Sequence, residues 1–166
     1  IELAQNALEG YAGQFNAAYK QRMLAKIGIE AEQEGDWDLL QQLLMLMQAA
    51  DADFTHTFRA LSEGRTVPLQ LEATPEYQDW YARWQDRLGE QMQTAQESMR
   101  KVNPWIIPRN RWVEEALEAV VEKGDFEPLG HLMGALERPF EGSEHAREFL
   151  TKPFEESSEY QTFCGT

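Results

Sequence analysis

The chain has 166 residues, of which 29 are acidic and 15 basic, giving a formal net charge of −14. This length suits one folded domain, and 42% hydrophobic residues is too high a share for simple disorder. The acidic balance argues against nucleic acids and anionic membranes as partners, because both are bound through basic faces. No apolar run approaches the roughly 18 residues of a membrane span. The single cysteine excludes an internal disulfide framework, and a start at Ile1 suggests a fragment of a longer protein.

The first half of the chain has helical periodicity. A helix is predicted over residues 3–28, a second begins at Asp36, whose carboxylate can cap the amides that follow, and a third covers residues 52–62. Residues 64–74 contain a proline and few hydrophobes, and are predicted to form a loop. The first helix carries an apolar stripe with a spacing of three or four residues: Leu8, Tyr11, Phe15, Tyr19, Met23 and Ile27.

The second half continues the pattern. Thr74 and Pro75 are typical of a helix start, and the periodicity predicts one helix from there to about residue 102. Asn103 and Pro104 interrupt it, so residues 103–110 are expected to be irregular. Further helices are predicted over residues 111–123 and 125–137, with a last short one starting at residue 143. These elements predict an all-α fold, an irregular bundle of about six or seven helices in a single domain over residues 1–166.

One internal repeat is visible. The sequence GDWD at residues 35–38 matches GDFE at residues 124–127, and the leucine-rich pattern that follows each of them also matches. Each copy follows a predicted helix, which indicates two similar helical hairpins. A solenoid-like binding array is the alternative, but two copies are too few for a solenoid, and we favour two hairpins sharing one core.

Motifs for chemistry are scarce. Neither the phosphate-loop spacing nor the dinucleotide glycine pattern occurs. Asp51, Asp53 and His56 have a spacing that could bring metal ligands together. Aspartate is also an ordinary capping residue at a helix start, and we favour that interpretation over a metal-dependent helical enzyme.

A basic cluster and the lone cysteine allow two interpretations each. Arg100, Lys101, Arg109 and Arg111 flank the irregular segment and could hold a phosphate or a carboxylate of a partner. Ion pairs with the chain's own surplus acids are the interpretation we favour. Cys164 lies near the C-terminus, and its thiol is either redox-active or incidental, because reactivity depends on a local pKa that the sequence does not reveal.

Several segments resemble the SelO (YdiU) family. Residues 99–110, MRKVNPWIIPRN, resemble that family's MR-x-x-NP-x-x-x-x-RN segment. Residues 23–29, MLAKIGI, are similar to its M-x-x-KLGL segment, and residues 53–62, DFTHTFRALS, to its D-Y/F-T-x-x-FR-x-L segment. The blocks occur in the family's order, which favours the C-terminal part of a family member. The candidates for motif or partner contacts are Arg100, Asn103, Pro104, Arg109 and Asn110.

The resemblance implies a larger parent protein with a protein-kinase-like fold, called a pseudokinase. Such a parent transfers AMP from ATP, with a divalent metal (Mg or Mn), to hydroxyl side chains of proteins. The family's nucleotide- and metal-binding residues lie upstream of the matched region, so no catalytic, cofactor or metal residue is assigned in this chain. The resemblance also implies a bacterial, cytoplasmic protein and a redox role for Cys164, whose disulfide partner would lie outside this chain.

Two functions follow as expectations. The leading hypothesis is an accessory, regulatory helical region that packs against the kinase-like part of the parent and is inactive alone. Its partners are that kinase-like part and the protein substrates of the parent. The alternative is a free-standing helical interaction module without an enzymatic parent. A kinase-like reading frame ahead of Ile1 would separate the first from the second.

Overall fold

A computed structural model describes residues 2–142, with side-chain surroundings from residue 10 onward. This part of the chain is all-α and contains no strand, as the sequence predicts. Seven of its helices have ten or more residues and one has four. The helices are α1 (Glu2–Ala25), α2 (Asp36–Ala49), α3 (Phe54–Glu63), α4 (Leu69–Glu72), α5 (Pro75–Leu88), α6 (Met92–Val102), α7 (Asn110–Lys123) and α8 (Glu127–Leu136).

One large core joins the end of α1 with α2, α3, α5 and α6. Helix α2 lies against α5, and α3 lies against α6. Trp80 and Trp84 of α5 are fully buried at its centre. Their indole nitrogens donate to the carbonyls of Leu39 (2.7 Å) and Ile27 (2.8 Å), so two large apolar rings are buried without losing a hydrogen bond.

A second, smaller core holds α7 and α8 together as a hairpin, so the expectation that the two hairpins share one core is wrong. Ala116 and Ala135 bring the two helices close, and Trp105 and Ile106, from the irregular segment before α7, complete the cluster with Leu132. The Trp105 amide donates to the Pro139 carbonyl (2.7 Å), which ties the segment before α7 to the residues after α8. Several apolar side chains on the outside of this hairpin are exposed: Leu117, Val121, Phe126 and Met133.

Two predicted elements are wrong. The helix predicted to run through residues 75–102 is divided in the structure, because Gly89 adopts a φ of 51° and a 3-10 turn (Gly89–Gln91) separates α5 from α6. The loop predicted for residues 64–74 contains α4, which begins after Pro68 and places Leu71 fully in the core. Val67 and Leu71 are both buried in the main core, and two apolar residues in a short segment are too few for helical periodicity to reveal.

The predicted caps are partly confirmed. Thr74 accepts from the Tyr77 amide (3.3 Å) at the start of α5, and Asp53 accepts from the His56 amide (2.7 Å) at the start of α3. The predicted capping role of Asp36 is wrong: no side-chain cap bond forms at the start of α2. Its carboxylate binds an arginine of α5 instead. The short helix predicted from residue 143 lies outside the described residues.

The apolar stripe predicted on α1 divides into two parts. Met23 and Ile27 lie in the main core, as does Leu24. Tyr11 and Phe15 are 64% and 54% exposed, because α1 extends beyond the other helices that the structure describes. The stripe therefore exists as predicted, but only its last turn contributes to this core.

Candidate functional site

The three segments that carry the family resemblance converge in space at the C-terminus of α6. Residues 23–29 supply Lys26 from the turn after α1, residues 53–62 form most of α3, and residues 99–110 contain the end of α6 and the break that follows. Hydrogen bonds link side chains from all three segments at one point, a group that we call the polar junction: Lys26, Arg59, Ser62, Arg100 and Asn103.

Asn103 is the centre of the polar junction. It is completely buried, and its side-chain amide nitrogen donates to the Lys26 carbonyl (2.9 Å) and to Ser62 Oγ (2.9 Å). Its side-chain oxygen accepts from Lys26 Nζ (3.2 Å), and its backbone amide donates to the Met99 carbonyl (2.9 Å). Every polar group of Asn103 is thus used within the chain, which stabilises the break between α6 and α7.

Arg59, on α3, forms hydrogen bonds with the C-terminal end of α6. Its Nη1 donates to the carbonyls of Arg100 (3.1 Å) and Asn103 (2.7 Å), and Nη2 pairs with Glu63 (2.5 Å). A cation at this position also complements the negative end of the helix dipole. Burial lowers the pKa of Arg59, and the neighbouring carboxylate of Glu63 opposes that shift. The guanidinium carbon lies 4.5 Å from the centroid of the Trp105 ring, which couples the junction to the second core.

Lys26 reaches the same site from the opposite side. Its ammonium lies 5.5 Å from the ring centroids of both Phe54 and Phe58, and donates to Asn103 and to the Val102 carbonyl (3.5 Å). Burial lowers the pKa of Lys26. The group is therefore a cation held by two aromatic faces and by polar oxygens.

The three arginines of the basic cluster have partners within the chain, and Lys101 is exposed. Arg100 donates to the Ser62 carbonyl (3.1 Å), which makes it part of the polar junction. Arg109 pairs with Asp53 (2.5 Å), and Arg111 pairs with Glu115 (2.9 Å) one turn along α7. Arg109 and Arg111 thus pair with the chain's own acids, as the interpretation favoured from the sequence expects, whereas the contact of Arg100 is with a backbone carbonyl.

The remaining candidates lie apart from these contacts. Pro104 is half-buried directly after Asn103 and prevents α6 from continuing. Asn110 is exposed and is the first residue of α7. Cys164 lies outside the described residues.

The proposed metal ligands have other partners. Asp53 caps α3 by accepting from the His56 amide (2.7 Å), and its second oxygen pairs with Arg109. Asp51 is exposed before the helix, with a φ of 49°. In the part of the chain that the structure describes, no three side chains of the metal-binding types are grouped closely enough to hold an ion.

The sequence prediction missed Arg59, Lys26 and Ser62 as members of the site. All three occur in the quoted motif segments, and a charged or hydroxyl side chain inside an otherwise apolar helix pattern is a signal for a buried polar contact. The junction has no exposed nucleophile at its centre. Its chemistry is that of a buried hydrogen-bond network centred on Asn103, in which only Arg59 Nε lacks a partner among the described residues, and the network fixes the geometry of three helices.

Comparison with known proteins identifies relatives. Residues 1–137 match the family model described as protein adenylyltransferase SelO. The protein nucleotidyltransferase YdiU of Geobacillus kaustophilus is 41% identical over 169 residues, covering all of this chain and 35% of the relative. The protein of the same name from Clostridium botulinum (strain Alaska E43 / Type E3) is 38% identical, with 34% of its length covered. That from Bacillus mycoides is 36% identical, with 35% covered.

The chain thus spans about a third of the length of these curated relatives. None of the helices that the structure describes is both long enough and apolar enough to cross a bilayer.

Proposed function

The chain belongs to the SelO family, and from that premise we propose that it is an accessory, regulatory helical region of a larger protein adenylyltransferase. The matching family model carries that activity in its description, and the relatives are named protein nucleotidyltransferases. In this proposal the whole protein transfers AMP from ATP to hydroxyl side chains of proteins. The region described here takes no part in the bond-making step.

One observation carries the non-catalytic role. The motif residue Asn103 is fully buried, and each of its polar groups is bonded inside the chain. A residue that binds a substrate or a metal must leave a polar atom available to it. Asn103 and Arg59 instead hold α1, α3 and α6 in a fixed arrangement, which suits a rigid support for a neighbouring catalytic part.

The nucleotide and the metal are proposed for the rest of the parent. Mg or Mn requires a set of free oxygen ligands, and Asp53, a candidate ligand in the sequence, is occupied by Arg109 and by the α3 cap. The described residues therefore do not fit the metal, and we derive no step through it. The partners in this proposal are the kinase-like part of the parent and its protein substrates, and the compartment is the bacterial cytoplasm.

Nucleotide binding tests the proposal directly. Calorimetric titration of this chain with ATP and Mg is expected to give no binding heat. Tight ATP binding by this chain alone would contradict the accessory role.

Two asparagines of the same motif provide a second test in the full-length parent. Asn103→Ala should lower its melting temperature by several degrees, since it removes about 2–3 kcal/mol of buried hydrogen bonding. AMP transfer per folded molecule, measured well below the melting temperature, should stay unchanged. Asn110→Ala, at an exposed site, is the matched control for stability and should leave the melting temperature unchanged. A loss of AMP transfer by Asn103→Ala without a loss of stability would place this residue in the reaction instead.

Family membership and the one-third coverage favour this proposal over a free-standing interaction module. The redox role of Cys164 stays a prediction: oxidised full-length protein should contain Cys164 in a reversible disulfide, and mass spectrometry that finds only a free thiol would contradict it.

A further inference from the structure

The N-terminal part of α1 has an unusual environment. Every residue from 10 to 18 is exposed, and Tyr19 is still 46% exposed, although the segment is helical throughout. Tyr11, Phe15 and Tyr19 lie four residues apart and form a continuous row of rings. Successive centroids are 6.2 Å apart, and Tyr19 meets Trp37 of α2 at 6.3 Å. We call this row the aromatic ladder: Tyr11, Phe15, Tyr19 and Trp37.

The sequence of this segment is poorly suited to a helix in water. Residues 10–19, GYAGQFNAAY, contain no charged side chain, in a chain where 27% of residues are charged. Gly10 and Gly13 each cost the helix about 1 kcal/mol relative to alanine, and no ion pair can form within the segment. Exposed helices of this length are marginal in water even with better sequences. An amphipathic helix normally buries its apolar stripe against another element, and the stripe of this segment is exposed.

The small residues are placed opposite the ladder. At 100° per residue, Gly10, Gly13 and Ala17 share a face on the far side of α1 from Phe15. A Cβ added at Gly10 or Gly13 would meet no atom within 4 Å, so both faces of the segment are open. A partner could therefore pack on the aromatic face and approach the backbone closely on the other.

We propose that residues 10–19 of α1 insert into an apolar groove formed by the part of the parent protein that this chain lacks, with the aromatic ladder as the main contact. This inference rests on the proposed function, because it takes that parent as the partner. The relatives are about three times as long as this chain, so the parent supplies ample surface for a groove. A second copy of this chain fits less well, since two molecules of net charge −14 repel each other.

Hydrogen exchange in the full-length parent tests the inference. The amides of residues 11–19 should exchange slowly there, on the order of 100-fold below the rate of an unprotected helix. Phe15→Ala should accelerate that exchange by at least about 10-fold. Phe126→Ala is the matched control, because Phe126 is 66% exposed on the α7–α8 turn, and it should leave the exchange of α1 unchanged. Unprotected α1 amides in the parent, or equal effects of the two variants, would overturn the inference.

A photo-crosslinking amino acid at position 15 identifies the surface that the aromatic ladder contacts. The expected product is a crosslink within one full-length molecule to a residue outside this 166-residue segment. A crosslink between two molecules, or to residues 143–166, would overturn the inference. Measuring AMP transfer by the same preparation separates the two proposals. If the parent transfers AMP but the α1 amides exchange without protection, only the proposed groove is contradicted. If the α1 amides are protected but the parent transfers no AMP, only the proposed function is contradicted.

Discussion

The turns at residues 35–37 and 124–126 share a glycine–aspartate–aromatic pattern and have opposite surroundings. Gly35 and Gly124 both adopt left-handed backbone, with φ of 90° and 65°. Asp36 is only 2% exposed and binds Arg87 through both of its oxygens, at 2.7 and 2.8 Å. Asp125 is exposed and accepts a bond from the amide two residues on. The shared pattern therefore specifies a backbone bend, and a distant helix decides whether the aspartate becomes part of the core.

The position of each turn explains the difference. Gly124 ends α7 and α8 follows within three residues, so this turn is the tip of a hairpin that projects Phe126 into solvent. Gly35 stands ten residues beyond the end of α1, directly before α2, and the next residue, Asp36, contacts Arg87 of α5. The two hairpins are similar along the sequence, but only the first turn is enclosed by a third helix.

The largest expected effect comes from removing the partner of the buried aspartate. Arg87→Met should lower the free energy of unfolding of this chain by about 3 kcal/mol, because Asp36 would stay buried without its cation. The measurement is urea unfolding at neutral pH. The control is Arg138→Met, which removes an exposed ion pair with Glu141 and should change stability by less than about 0.5 kcal/mol. Equal effects of the two variants would contradict the contrast drawn between the two turns.

The second prediction concerns the pH dependence of the same variant. Burial alone would raise the pKa of Asp36, but hydrogen bonds from Arg87 and from the Gln33 amide outweigh it and hold the pKa below its ordinary value of 3.8. Ionised Asp36 therefore contributes its full stabilising free energy when the pH is above this ordinary pKa. That contribution is lost as the pH falls through the lower pKa of the folded state.

The destabilisation caused by Arg87→Met should accordingly shrink when urea unfolding is repeated at about pH 3 or below. Arg138→Met should show no comparable change. A difference between wild type and Arg87→Met that is constant from neutral to acid pH would show that Arg87 acts through packing and not through the carboxylate of Asp36.

The smallest expected effect tests what the two turns have in common. Gly35→Ala and Gly124→Ala should each lower the free energy of unfolding by about 1–2 kcal/mol, because alanine is strained in the left-handed region of backbone conformation. A Cβ at either position meets no atom within 4 Å, so conformation is the only cost and the two losses should agree. Thermal unfolding of both variants measures this. A much larger loss at Gly35 would show that the buried turn also constrains its glycine through packing.

Local signals predicted most of the helices in this chain. The Thr74–Pro75 start, the break at Asn103 and the stop at Gly124 all depend on the backbone of one or two residues, and each was confirmed. The kink at Gly89 and the inward turn at Leu71 were missed. The local pattern around a surface glycine in a helix is the same whether or not the neighbouring helices require a bend there. The same holds for a leucine in a loop.

The candidate site was predictable only in part. The quoted motifs contained Arg100 and Asn103, and their contacts lie between residues up to 77 positions apart in the chain. No spacing rule predicts that Lys26, Arg59 and Asn103 share hydrogen bonds, because such contacts depend on how α1, α3 and α6 pack.

By itself, the sequence determined the all-α class, the family and most of the positions where helices begin and end, since these depend on periodicity and on residues with restricted backbone angles. The tertiary structure alone decided which polar residues are buried and which apolar ones are exposed. Asp36 is enclosed by Arg87, whereas the uncharged segment of α1 around Phe15 has no cover in the described residues. Burial is a property of the assembled helices, and a helix specifies its own faces but not what lies against them.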